Sequence, residues 1–439
     1  KMARIRVIST SSVCATNYEQ PNLKIDLTPW DLNALLVDSI QKGLLFHKPQ
    51  ESDTNTIVLH LKNSLSRTLD FFPPLSGRLA AIDHDDDTVS FFINCNNDGA
   101  LFIHAAAEGV SVADIIKPIY VPDEIVYSFF PLNGVKNFEG TSKPLLAVQL
   151  TELTDGIFIG CTINHTVVDG TSFWHFFNSW SQISRGFDSL PHPPVLQRCF
   201  LHNIDFPIHI PLRSRKQIDS KFILPPLQQR VFRFTAENIA KLKAKANDEI
   251  GTSKISSLQA LLSHLWRSVV RNKCLDPDQE INYWLLIGVR PRWSPPMSPQ
   301  YFGNAVQAGR VTLKAREVLG QGLGYVAWRM NEMVVMHREE NLMDFLESWI
   351  ENPRPLTMDS IVTNALSTSS SPRFNMYGND FGWGKPIAVR SGPGNKFDGK
   401  ITLFAGVEEG SVDIEACLSP ETLQGLGNDA EFMGAVSVN

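Results

Sequence analysis

Cysteine is scarce in this 439-residue chain: six residues, at positions 14, 95, 161, 199, 274 and 417, with no Cys-x-x-Cys pair among them. That spacing argues against a zinc site or a dense disulfide framework and describes thiols that are mostly buried, so a reducing, cytoplasmic setting is expected. Long apolar runs are missing too. None approaches the roughly 18 residues that a membrane-spanning helix requires. Positive charge is not in excess either: 40 Lys and Arg against 46 Asp and Glu leave a formal charge of −6. Such a balance gives no global field for nucleic acid or an anionic membrane, so an anionic ligand needs a local basic pocket. No internal repeat is visible, which excludes a solenoid.

The length exceeds what one hydrophobic core usually supports, so two domains or one large composite fold are expected. Pro29-Trp30-Asp31, followed by Leu32, Leu35, Leu36 and Ile40, predicts a helix ended by Gly43. Leu61, Leu65 and Leu69 carry helical spacing through 57–69. The runs 145–153 and 157–164 are short, apolar and rich in β-formers, and Asp155-Gly156 between them signals a hairpin. Cys161 shares a strand face with Ile157, Ile159 and Ile163 and reads as a buried small hydrophobe. From Thr171 onward, Phe173, Phe176, Phe177, Trp180 and Ile183 lie on one helical face. The order is therefore strand, loop, helix, with Asn164-His165-Thr166-Val167-Val168-Asp169-Gly170 in the loop. Prolines at 191, 193, 194, 207, 211, 225 and 226 mark a long connection. The expected organisation is a first domain over 1–185, a linker over 186–229 and a second domain over 230–439. The second half offers helices over 236–250 and 257–271, a buried strand over 281–289 and a β-rich stretch over 385–414.

His165 at a strand end suits a general base, because an imidazole with a free pKa near 6.5 keeps a substantial neutral fraction at pH 7. Asp169, four residues on, precedes the helix, where its carboxylate can cap exposed N–H groups or pair with an arginine; that role is favoured over a His–Asp dyad. Asp380-Phe381-Gly382-Trp383-Gly384 begins like a kinase metal-binding triplet, but the kinase catalytic loop, lysine strand and glycine loop are absent. Gly320, Gly322 and Gly324 lack the third interval and the preceding strand of a dinucleotide fingerprint.

The two motifs together, in this order, resemble the signature of the plant BAHD acyltransferases, which move an acyl group from coenzyme A to an alcohol or amine. Phe72-Pro73-Pro74-Leu75-Ser76-Gly77-Arg78-Leu79, Ser256-Ser257-Leu258-Gln259-Ala260 and Tyr301-Phe302-Gly303-Asn304 look like further family segments in their expected order. The resemblance implies an α/β (α+β) fold of two chloramphenicol acetyltransferase-like domains, with mixed sheets flanked by helices and an active-site channel at their interface. It implies His165 midway along that channel as general base in a ternary complex. Acyl-coenzyme A enters as co-substrate from one face, and a small-molecule alcohol or amine of plant specialised metabolism enters from the other. No metal, no permanently bound cofactor, no nucleic-acid or membrane partner and a monomeric state are expected.

Residue by residue, the resemblance turns Asp169 away from the reaction centre toward Arg290, although Gly288 stands where the family commonly has Asp. It gives Asp380, Gly382, Trp383 and Gly384 an architectural role. It points to Lys254, Ser256 and Ser257 for coenzyme A, at a helix N-terminus whose N–H groups suit phosphate. Trp30 matches a position bordering the acceptor pocket. Ser371 stands where members using hydroxycinnamoyl donors often carry tryptophan, so neither a phenolic donor nor a shikimate-like acceptor is inferred. Two alternatives stay open: a lyase or other chemistry in the same cleft without coenzyme A, and a metabolite-binding relative without turnover.

Overall fold

Two six-stranded mixed sheets carry the chain, each covered by amphipathic helices. The computed structural model describes residues 4–18, 22–49, 53–198, 201, 204–211, 225–361 and 365–437. Cys199 and parts of the proline-rich connection, 199–200, 202–203 and 212–224, lie outside the described residues. The first sheet runs Arg4–Val13, Ala100–Glu108, Leu146–Glu152, Gly156–Ile163, Ile40–His47, Ala388–Ser391. The second runs Gln228–Phe234, Val412–Leu418, Lys400–Ala405, Ala365–Ser369, Glu280–Gly288, Val306–Lys314. A smaller sheet joins Lys24–Asp26, Thr88–Asn94 and Arg78–Asp83, with Ile210–Pro211 at its side.

The strand Gly156–Ile163 is buried at every residue, Cys161 included. One face packs under the helices Thr54–Leu69 and Gly170–Ser184, and the other meets Phe129 and Phe130. A strand covered on both sides reads as a continuous apolar run rather than an alternation. Its end is therefore a fixed point of the fold.

The helix expected to run from Pro29 to Gly43 is much shorter. It spans Pro29–Leu32, started by a reciprocal cap between Thr28 and Asp31 with Pro29 in its first turn. Tight i→i+3 turns follow, in which Leu35 N donates to Leu32 O and Val37 N to Ala34 O. The chain then enters strand Ile40–His47, with Gly43 in its middle. A Cβ on Gly43 would lie 2.3 Å from the Phe158 ring, so glycine is there for close packing and not to stop a helix.

Strand Ala388–Ser391 pairs antiparallel with Ile40–His47, so the span 230–439 lends an edge strand to the first sheet. The motif just before it explains the crossing. Phe381 is fully buried, 4.9 Å edge-on to Trp180, and it also meets Phe177 and Phe46. Burying such a ring contributes roughly 1.5–3 kcal/mol. Asp380 Oδ1 accepts from Gly382 N (2.8 Å) and Gly384 N (3.0 Å), and both glycines take φ values, 109° and 112°, that side-chain-bearing residues avoid. Trp383 stacks on Phe381. The motif is thus a plug from the second half seated in the first half's core.

Candidate active site

Where strand Gly156–Ile163 runs out, Asn164 folds the chain into a turn by accepting from Thr166 N (3.0 Å) and Thr166 Oγ1 (2.6 Å). His165 sits on that turn, and its peptide groups are held from two directions. His165 N donates to Asn137 Oδ1 (2.8 Å), and His165 O accepts from Asn304 Nδ2 (2.7 Å). Both asparagines are themselves anchored. Asn137 Nδ2 donates to Ala34 O (2.7 Å), and Asn304 donates through N and Nδ2 to Asp31 Oδ1 (2.8 and 3.0 Å).

The His165 ring is half-buried, and Nδ1 has no hydrogen-bond partner among the described residues. Burial pushes its pKa below the ordinary value; the ring's interaction with its own backbone and then the Asp169 charge oppose this, while Lys400 and Lys42 push the same way as burial. The imidazole is therefore neutral near pH 7 and available as a base.

Asp169 does not orient that ring. It caps helix Gly170–Ser184 through Ser172 N (2.8 Å to Oδ1) and accepts Ala305 N at Oδ2 (3.0 Å). Arg290 meets both oxygens, Nη1 to Oδ2 at 2.6 Å and Nη2 to Oδ1 at 3.1 Å, and Nη2 also donates to Tyr301 O (2.9 Å). Burial alone would raise the Asp169 pKa; the Arg290 charge, its hydrogen bonds and the two backbone N–H groups outweigh it and hold the carboxyl below its usual range. A His–Asp dyad is excluded because the carboxylate is fully engaged elsewhere. The pair instead locks the loop of the first half to the second.

The residues expected to take coenzyme A divide. Ser256 and Ser257 line a cavity of about 1130 Å³ together with Ser371, Pro372 and Arg373. Lys254 is exposed and is not part of its wall; Lys243, Arg292 and Arg373 supply the positive charge there. Ser256 Oγ accepts from Gln259 N (3.2 Å) and Gln259 Oε1 from Ser256 N (2.9 Å), a reciprocal cap that fixes the start of helix Ser257–Lys273. Trp30 lies elsewhere, buried edge-on against Trp293 at 5.8 Å with its indole N–H 3.4 Å from Gln307 Oε1. Asn137, Asp31 and Lys243 carried no signal in the sequence. Asn304 closed a recognised segment, but nothing in that segment tied it to His165.

No group of three His, Cys, Asp or Glu side chains is placed to hold a metal among the described residues, and no helix there is long and apolar enough to cross a membrane.

The family model described as the Transferase family matches residues 3–433. An uncharacterized acetyltransferase of Arabidopsis thaliana is 42% identical, covering 98% of this chain and 99% of that protein. The BAHD acyltransferase DCR of the same plant is 32% identical over 98% of this chain and 92% of its own length. Among solved structures, vinorine synthase superposes with a TM-score of 0.74 at 19% identity, covering 99% of both chains. TRI101 of F. graminearum, complexed with coenzyme A and deoxynivalenol, gives a TM-score of 0.78 at 17% identity over 94% of this chain and 99% of that one.

Proposed function

Since the chain belongs to the BAHD acyltransferase family, we propose that it transfers an acyl group from an acyl-coenzyme A to the hydroxyl or amine of a small plant metabolite, in a ternary complex with His165 as general base. The observation that carries this reading is the state of His165: a half-buried, neutral imidazole with an unpartnered Nδ1, on a turn held rigidly from both halves. His165 takes the proton of the acceptor as its oxygen or nitrogen forms a bond to the thioester carbonyl carbon. The C–S bond then breaks and the leaving thiolate receives that proton. Such a base contributes about 10²–10⁴-fold in rate.

The tetrahedral oxyanion needs a fixed donor. Among Ser369, Ser370 and Ser371, Ser370 is the best candidate, because its hydroxyl is buried without a partner and its backbone is held at φ 68°. The cavity bearing Ser256, Ser257, Lys243, Arg292 and Arg373 is the proposed entry for the coenzyme, in keeping with a structural neighbour that holds coenzyme A. Its cations suit phosphate, and two of its serines stand at the helix N-terminus. The protein acts as a monomer in the cytoplasm on this reading.

A thermal-shift titration with coenzyme A and acetyl-coenzyme A tests the donor. Saturation at about 100 times Kd stabilises the native state by about 2.7 kcal/mol. The absence of any shift across several acyl-coenzyme A donors would sink the reading.

A further inference from the structure

Charge in the seam between the two sheets does not balance. Lys42 shares a rung with Cys161 and with Ser391, near the end of strand Gly156–Ile163 that leads into the His165 turn. It stands on the strand face of Leu44 and Phe46. In the second sheet, Ile401 and Leu403 turn into that half's own core, whereas Phe404 belongs to the core of the first half. Lys400, two rungs' alternation from Phe404 on the same strand face, therefore turns toward the first sheet.

The carboxylates nearby are already engaged. Glu415 accepts from the buried Lys396 (2.8 Å) and also meets Ser391 Oγ, which receives a second hydrogen bond from Lys396 (2.5 Å). Asp413 takes Arg233 through two hydrogen bonds, 2.8 and 3.0 Å, and Asp123 accepts from Gln229 Nε2 (2.6 Å). Lys42, Lys400 and Arg390 have no carboxylate partner among the described residues. Arg390 is only 8% exposed and its Nε has no hydrogen-bond partner. Lys42 and Lys400 are half-buried, so the seam reaches solvent, and both lie within electrostatic reach of His165.

We infer that Lys42 and Lys400 form a subsite for a carboxylate carried by one of the two substrates, adjoining His165, with the buried Arg390 adding a further positive charge nearby. The inference rests on the acyl-transfer reading of the same site and narrows its substrate class to organic acids or dicarboxylic acyl groups. Two half-buried ammonium groups without a carboxylate partner are electrostatically costly. Burial, then the charges of Lys396 and Lys400, push the Lys42 pKa down to about 7, and burial followed by Lys396 pushes Lys400 down to about 8. A carboxylate between them would move both values back up toward the ordinary lysine range.

Isothermal titration of the full chain tests this with matched pairs differing in one charge. The donor arm compares malonyl-coenzyme A with acetyl-coenzyme A; the acceptor arm compares L-lactate and 3-(4-hydroxyphenyl)propanoate with their methyl esters. The member bearing the extra carboxylate is expected to bind at least about tenfold tighter than its partner in one arm. Proton uptake between pH 7 and 8 should accompany it, seen as heats that vary with buffer ionisation. Lys42→Gln and Lys400→Gln should each abolish most of the preference, Lys→Arg at either position should keep it, and coenzyme A affinity should stay within about twofold. No acid preference in either arm, with coenzyme A still bound, overturns the inference and leaves the proposed function standing. So does an unchanged preference in both glutamine variants. Weaker coenzyme A binding in those variants would make the seam a phosphate site and also overturn it. Failure of the unaltered protein to bind any acyl-coenzyme A, with the acid preference intact, strikes the proposed function and spares the lysine pair.

Discussion

Asn304 donates its side-chain amide to the carbonyl of His165 across 2.7 Å, while its N and Nδ2 groups bind Asp31 Oδ1. One side chain of the second half thus fixes the peptide that carries the proposed base to the helix start that opens at Pro29. Asn304→Ala takes the amide partner from the His165 carbonyl, a loss of about 1–3 kcal/mol, while Asp31 Oδ1 keeps its bond from the backbone N of residue 304. Stability should fall by that order in urea unfolding. Because a displacement of about 1 Å at a reacting group costs about 100-fold, kcat should drop by one to two orders of magnitude, with the coenzyme A affinity nearly unchanged.

Asp169 and Arg290 are each buried, and removing one partner strands the other. Asp169→Ala should destabilise the fold by about 3–5 kcal/mol, whereas the double change with Arg290→Met should cost less than the sum of the two. An additive double-mutant cycle would contradict a coupled pair. The sign with pH follows from the depressed carboxyl pKa: the pair's contribution is complete above the free value near 3.9 and is lost as pH falls through the folded value. Acid unfolding of Asp169→Asn should therefore lack that part of the transition.

His165 should set the acid limb of kcat/KM. Burial lowers its pKa, so activity should hold through pH 6.5 and decline below it as the imidazole takes a proton. A limb centred above 6.5 would contradict the neutral, desolvated ring. His165→Ala should lose at least about 100-fold in turnover and flatten that limb.

Phe381 tests the plug. Phe381→Ala should cost about 3–5 kcal/mol, measured by denaturant unfolding, because the cavity sits among Trp180, Phe177 and Phe46. Turnover per folded molecule at low temperature should change far less, since the ring supports the fold and not the chemistry. A loss of activity without a loss of stability would place the motif in the reaction.

Much of this was legible because it is local. The hairpin at Asp155-Gly156, the His165 loop and the helix after Asp169 follow from periodicity and turn chemistry within a few residues. Family likeness extended that reading to Arg290, which no periodicity could pair with Asp169 at a separation of 121 residues. What could not be read depends on tertiary contact. Leu32, Leu35 and Leu36 suit a helix, yet Asn137 satisfies Ala34 O from a distant segment, Asn137 N takes Val37 O, and Phe158 packs where a Cβ on Gly43 would go. Lys42, Arg390 and Lys400 are scattered along the chain, and only strand registry brings their charges together.

The strand Ala388–Ser391 has a consequence for the order of folding. It completes the first sheet beside Ile40–His47, so during synthesis that edge stays open until some 340 further residues have been made. The first half cannot close on its own schedule, and its unpaired strand is an edge open to aggregation in the nascent protein. Long-range closure of this kind slows folding, because the ends of a long loop must meet before the contact can form.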